Sequence, residues 1–356
     1  MKVLLLSKYP RMGASSRLRS LQYLPVLADE GIEVRVSSLF DEKYLRELYE
    51  KGRKSKVRSL ILYLKRLFVL LTVFRYDVLW IEKEIFPYFP AVFERLLAFL
   101  GVRYVVDYDD AIFHNYDLSD NGLIRGLLGR KIDAVMSCAT CVIAGNQYLA
   151  ERALQSGAKR VEIIPTVVDH TRYSQAARTG DGPLVIGWIG SPSTQRYVVD
   201  IQDALRAVCD KTGARLMLVG ATDAVADQLS GIPVEVVPWS EESEAENIAQ
   251  MDVGIMPLVD GPWEKGKCGY KLIQYMASGV PVVASPVGVN VEIVDGHGCG
   301  RLAESKGDWA ESLLELLSGA DVRNTLGRAG REAVEKRYSL QTQVPVLADI
   351  LKSAAR

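Results

Sequence analysis

Short apolar runs alternate with segments of helical spacing, and the pattern occurs twice. No other feature constrains this chain as much. The first half offers five predicted strands: Val3–Leu6, Glu33–Ser37, Val78–Ile81, Arg103–Val106 and Cys141–Ala144. Helical spacing lies between them, at about 17–29, with Gly31 as its stop, and near 89–100. The second half restarts with Leu184–Ile189, Leu216–Val219, Val234–Val237, Val253–Met256 and Val280–Ala284, and with a helix near 197–211. Uninterrupted apolar strands are the kind a parallel sheet buries on both faces. Their alternation with helices predicts an α/β chain built of doubly wound, Rossmann-like sheets. At 356 residues the chain is long for one core, which predicts two domains. Residues 174–183 are polar, contain Gly180 and Gly182 and show no periodicity, so they read as a linker. The expected organisation is a Rossmann-like domain over 1–178 and a second over 179–336. A C-terminal helix in 337–356, amphipathic over Val344–Leu351, is expected to pack back on the first domain. Ligands of such sheets bind at the carboxyl ends of the strands, and two facing halves would leave a cleft.

The stretch from Gly266 to Glu292 carries the densest signal, GKCGYKLIQYMASGVPVVASPVGVNVE. Leu272, Tyr275 and Met276 recur at helical spacing, predicting a helix over 269–278 that Gly279 and Pro281 stop. Gly266 and Gly269 precede it, and Lys267 and Lys271 flank its start. Free N–H groups and the positive end of the dipole suit a phosphate or diphosphate there. The alternative is a capped surface helix with two solvated lysines.

A net charge of -1 gives no support to nucleic-acid binding. Five cysteines do not make a disulfide framework, and Cys138 and Cys141, spaced CxxC without a second pair, read as structural thiols. MKVLLLSKYP is too short in its apolar part for a signal peptide, and no uncharged run of 18 residues occurs. A cytoplasmic protein is expected. From Lys51 to Arg75 eight basic residues and no acid accompany Leu60, Ile61, Leu64, Leu67, Phe68, Leu70 and Leu71. This is either a core helix with a solvated basic face or a basic amphipathic helix that lies on an anionic bilayer.

The two Rossmann-like halves, the linker and YKLIQYMASGVPVVASPVGVNVEIVDG resemble the GT-B glycosyltransferases of family 4. That resemblance implies a retaining transferase that uses a nucleotide-diphosphate sugar, without a metal at the reaction centre and without a cofactor. The family pairs two glutamates separated by seven residues ahead of Ala-Met-Ala-x-Gly-x-Pro-Val-Val. Here the first position is Gly266 and the second Gln274. The resemblance gives Gln274 the ribose, and Glu264 is the carboxylate able to stand in toward the sugar. The family's Gly-Arg, with Lys five residues on, falls on Gly190-Ser191 and Arg196. Arg196 then serves the diphosphate, with Lys267, Gly269, Tyr270 and Lys271 around it and Ser191 where the second cation is missing. Glu292 follows Gly288 as in the family's Gly-Gly-x-x-Glu and is expected near the sugar or as a loop cap. Gly13 matches the loop that approaches donor and acceptor.

The run Asp107-Tyr108-Asp109-Asp110-Ala111-Ile112-Phe113-His114 follows a strand. The resemblance makes Asp109 or Asp110 a partner of the acceptor hydroxyl and His114 a donor-sugar or acceptor contact; the alternative is a loop capped by aspartates. The acceptor implied is a glycan or lipid-linked glycan of bacterial type, reached from the inner face of the membrane. A GT-B epimerase stays open because it uses the same fold, and a nucleotide-sugar-binding protein because Gly266 and Ser191 depart from the pattern. A nicotinamide dehydrogenase does not fit, since no GxGxxG follows Val3–Leu6 or Leu184–Ile189.

Overall fold

A computed structural model describes residues 1–51, 55–174 and 182–355, and of 48–51 the backbone alone. The chain divides into two compact units. The first comprises Met1–Thr166, Gly266–Cys268 and Leu340–Arg356, the second Val167–Lys265 and Gly269–Ser339. The expected boundary at 178/179 lies outside the described residues.

The sheet of the first unit contains β1 (Lys2–Ser7), β2 (Glu33–Ser38), β3 (Val78–Glu82), β4 (Tyr104–Tyr108), β5 (Cys141–Ala144) and β6 (Val161–Ile163) in the order β2-β1-β3-β4-β5-β6. That of the second contains β7 (Val185–Ile189), β8 (Arg215–Val219), β9 (Val234–Val237), β10 (Val253–Met256), β11 (Val282–Ala284) and β12 (Gly300–Leu302) in the order β12-β11-β10-β7-β8-β9. Every pairing is parallel. β3, β4, β5 and β7 are buried along their whole length, as their largely apolar sequences require, with Glu82 of β3 and Asp107 of β4 buried among them. The order reverses between β1 and β3 in one unit and between β7 and β10 in the other. Those are the switch points where a doubly wound sheet opens toward a ligand.

Several expectations are corrected. β6 and β12 are edge strands of three residues each, too short to show an apolar period. A Cβ on Gly300 would stand 2.0 Å from the Val282 carbonyl oxygen, so β12 needs that glycine to pair with β11. The single helix expected over 17–29 is Ala14–Arg19, a 3-10 turn and Leu24–Asp29, with Pro25 in the first turn of the last piece. The helix near 197–211 is likewise two, Arg196–Asp200 and Gln202–Thr212. The strand expected from Val280 begins at Val282, because the Pro281 nitrogen cannot donate to a ladder.

The basic stretch folds as a helix, Lys56–Leu70, and a 3-10 turn, Val73–Arg75. Its basic side is only partly solvated. Arg66 is buried and donates to the carbonyls of Ser7 (2.7 Å) and Ser37 (2.9 Å), at the carboxyl ends of β1 and β2. Arg58 pairs with Asp41 at 2.7 Å. Arg53 and Lys54 lie outside the described residues. The apolar side faces outward instead: Val57, Leu60, Ile61, Leu64 and Phe68 form one stripe, and Leu60 and Phe68 are 63% and 70% exposed. Among the described residues no helix is long and apolar enough to cross a membrane. Cys141 is buried, and burial pushes its thiol up to about 11.

Candidate functional site

In the second unit the segments leaving the carboxyl ends of β7 and β10 carry the polar groups. A Cβ on Gly190 would lie 2.3 Å from the Trp188 ring and 3.0 Å from Lys271 Nζ, so only glycine fits directly after β7. Lys271 Nζ stands 4.8 Å from the centre of the Trp188 ring and 3.5 Å from Thr194 Oγ1. Its ammonium is thus fixed over the loop that leaves the switch point. Gly269 caps the helix Tyr270–Ala277 in a left-handed conformation, φ +65°, with Ile293 packed where its side chain would be.

Arg196 begins the helix Arg196–Asp200, is exposed, and donates to the Tyr197 hydroxyl at 3.0 Å. Tyr197 is buried and donates in turn to Glu264 Oε1 at 2.5 Å. Glu264 is therefore a buried carboxylate held by a tyrosine, not a surface acid of a loop. Ser191 is exposed, and its hydroxyl pairs with that of Ser193 at 2.9 Å.

Gln274 is buried, and its amide nitrogen is 3.4 Å from the Tyr173 hydroxyl. Tyr173 donates to buried Glu244, which also accepts from the Trp239 indole at 3.0 Å. Tyr270 joins this cluster through a hydrogen bond with Tyr173. Glu292 stands apart from these groups, in a half-exposed pair with Arg337 at 2.5 Å.

The first unit has its own polar cluster where β3 and β4 end. Lys83 is buried, adopts φ +64° although it has a side chain, and places Nζ 2.7 Å from Asp109 and 3.6 Å from Asp110. The Ser15 hydroxyl, just past Gly13, donates to Asp109 at 2.5 Å. A side chain on Gly13 would meet Tyr9 at 2.4 Å. Burial drives the Asp109 carboxyl up, but Lys83, Arg19 and Ser15 outweigh it and hold the group below the usual carboxylate range. Asp110 moves the other way: burial raises it, and the charge of Asp109 adds to this against Lys83. Asp107 is pushed up to about 6 by burial, against its pair with Arg19 at 2.8 Å. Of the two acids bound to Lys83, Asp110 keeps the more open side chain, 32% exposed against 13%.

Both ring nitrogens of His114 are engaged. Nδ1 faces Asp117 and Nε2 the Tyr148 hydroxyl, both at 2.8 Å, so a sugar contact would have to displace one of them. Gly266 belongs to the first unit, and a side chain there would strike Ala111 at 2.4 Å. The glutamate expected at that position has no room. The carbonyls of Gly266 and Lys267 accept from Asn146 Nδ2, and the Cys268 thiol donates to the Asp109 carbonyl at 3.1 Å. Lys267 is close enough for its charge to favour an ionised Asp110.

Lys83 and Tyr197 escaped the sequence reading. A lysine directly after an apolar strand, between Glu82 and Glu84, was the one available sign of the first. Nothing in the spacing marked the second.

Residues 183–319 match the family model described as Glycosyl transferases group 1. N-acetyl-alpha-D-glucosaminyl L-malate synthase of Bacillus anthracis is 24% identical over 179 residues, 48% of this chain and 45% of the relative. The match thus spans about half the length of that curated relative. Among solved structures, Anabaena Alr3699/HepE in complex with UDP superposes with a TM-score of 0.72 at 17% identity, covering 99% of this chain and 100% of that one. WaaG, a glycosyltransferase involved in lipopolysaccharide biosynthesis, gives 0.68 at 15% identity over 98% and 99%. The fold is the two-unit α/β arrangement of GT-B glycosyltransferases.

Proposed function

We propose that this chain, a glycosyltransferase by its group 1 domain at 183–319, moves a sugar with retention from a nucleotide-diphosphate sugar to a glycan or lipid-linked acceptor of a bacterial surface polysaccharide. The observation that carries this reading is the ammonium of Lys271, fixed over Gly190 where no Cβ fits, at the switch point of the second sheet. Breaking the bond between sugar C1 and phosphate leaves charge on the diphosphate. Lys271 and exposed Arg196 are suited to stabilise it without a metal. Glu264, fixed by Tyr197, takes the sugar hydroxyls and favours positive charge at C1. The buried cluster of Gln274, Tyr173 and Glu244 takes the ribose. In the first unit Asp109 stays ionised, and Asp110 receives the acceptor hydroxyl. Since Alr3699/HepE was solved with UDP, uridine nucleotides are the first donors to try. The outward apolar stripe of helix Lys56–Leu70, flanked by exposed Lys56 and Lys65, supports a peripheral site on the inner face of the membrane.

The test is a thermal-shift and calorimetry panel of nucleotides and nucleotide sugars. Arg196→Ala and Lys271→Ala are each expected to weaken nucleoside-diphosphate binding at least about tenfold, 1.4 kcal/mol, and to leave nucleoside binding nearly unchanged. Equal affinity in either variant removes that residue from the site. A parent that binds donors but transfers nothing to lipid acceptors would be a nucleotide-sugar-binding protein. Interconversion of the donor sugar without acceptor would make it an epimerase.

A further inference from the structure

The first unit contains a cavity of about 380 Å³ that none of the roles above uses. Its walls are already built. Phe40 stacks on Tyr44 with ring centres 4.2 Å apart and on Tyr9 at 5.6 Å. The Tyr63 hydroxyl donates to the Pro87 carbonyl at 2.8 Å, and a hydrogen bond joins Tyr44 to Ser59. The ion pair of Arg58 with Asp41 ties the helix Lys56–Leu70 to the segment that carries Phe40. Tyr88 completes the lining in a left-handed backbone, φ +56°, a conformation bulky residues rarely adopt. The Tyr116 hydroxyl holds it by accepting its N–H at 3.1 Å, and itself donates to buried Glu84. Strain maintained by a buried network is a mark of function.

The lining is polarised. Leu60 belongs to the outward apolar stripe, 63% exposed. Lys8, the cation of the lining, stands directly past the carboxyl end of β1. The hydroxyls of Tyr44 and Tyr63 are already engaged with Ser59 and Pro87, and Phe40, Leu60 and Pro87 add apolar wall, which suits a hydrocarbon chain better than the many hydroxyls of a sugar.

We propose that this cavity binds the acceptor's lipid anchor as an isoprenoid or acyl phosphate, its chain on Phe40, Tyr44 and Leu60 and its phosphate on Lys8. The proposal deepens the lipid-linked acceptor reading and rests on it.

Calorimetry of the full chain with farnesyl phosphate tests it, with farnesol, inorganic phosphate and a hexose 1-phosphate as comparisons. Farnesyl phosphate should bind at least tenfold tighter than the other three. Lys8→Ala should bring it down to the level of farnesol. Ser59→Trp, or Leu60→Trp should the first not fold, should fill the cavity and abolish binding while UDP affinity stays within twofold. Farnesyl phosphate no tighter than inorganic phosphate, or indifferent to a filling tryptophan in a folded variant, overturns the proposal. So does preference for the hexose 1-phosphate, which would make the cavity a sugar site. Failure of this proposal alone leaves the transferase reading standing. Absence of binding to every nucleotide and nucleotide sugar of the panel in the parent strikes the transferase reading and not the farnesyl phosphate result.

Discussion

Glu264 and Lys83 are both ionisable groups held in buried settings, Glu264 by Tyr197 and Lys83 by Asp109 and Asp110. Tyr197 donates to Glu264 at 2.5 Å, and a hydrogen bond to a charged group contributes roughly 1.5–3 kcal/mol. If the carboxylate works on the sugar, Tyr197→Phe should lower turnover about tenfold, and Glu264→Gln by tenfold or more. Nucleoside-diphosphate affinity should stay within about twofold in both, because the contact is to the sugar. A parallel loss of nucleotide binding in calorimetry would assign the pair to the fold instead. Lys83 neutralises Asp109 and part of Asp110 with its side chain 8% exposed. Lys83→Met removes the lysine partner of both carboxylates and should destabilise by about 3–5 kcal/mol.

The pH dependence of that variant follows from the sign of the Asp109 shift. A carboxyl held below its usual value stabilises the fold above about pH 4, and that contribution is lost as pH falls through the folded value. Removing Lys83 removes a principal cause of the lowering. Chemical denaturation between pH 3 and 7 should therefore show a shallower acid loss in Lys83→Met than in the parent. Equal slopes would mean that Ser15 and Arg19 hold Asp109 ionised without the lysine.

At the scale of elements, the buried strands were legible, as were the edge strands β2 and β9, but the three-residue edges were not. β5 and β10 lie where unbroken apolar runs put them. β6 and β12 are three residues long and partly exposed, so neither length nor apolar content separates them from loop. The organising helix, Tyr270–Ala277, was readable from its spacing and its terminal glycines. What fixes the site around it was not: Gly266 is glycine because Ala111 occupies the space, a contact 155 positions away in the chain.

The helix Lys56–Leu70 shows the same limit. Its amphipathic pattern was visible, but periodicity does not tell which side faces the core. Arg66 turned inward to the carbonyls of Ser7 and Ser37 and left Leu60, Leu64 and Phe68 outside. This sets the membrane prediction on apolar burial as well as charge. Sedimentation with vesicles should show binding to anionic bilayers that weakens with salt, at roughly 1 kcal/mol for each engaged base. Leu64→Ser with Phe68→Ser should abolish it, and Lys56→Glu with Lys65→Glu should remove its salt dependence. Equal binding to neutral and anionic vesicles would leave the stripe as the sole anchor.

The whole molecule interleaves its two units along one chain. The first unit is completed by Gly266–Cys268 and by the last helix, Leu340–Ala354. That helix buries Leu340, Val344, Leu347, Ile350 and Leu351. At roughly 1.5–3 kcal/mol for each large side chain, their burial contributes about 7–15 kcal/mol before entropy, as much as a whole domain's usual stability. The second unit, Val167–Lys265 with Gly269–Ser339, holds Lys271, Arg196, Glu264 and Gln274 without that helix. Ending the chain at Ser339 should therefore unfold the first unit selectively. Calorimetric unfolding of the truncated chain should lose one transition, and the one that remains should still rise with UDP, by about 2.7 kcal/mol at 100 times the dissociation constant. If the remaining transition ignores the nucleotide while the full chain responds to it, the donor groups of the second unit need the first in place, and the assignment of nucleotide binding to the second unit alone fails.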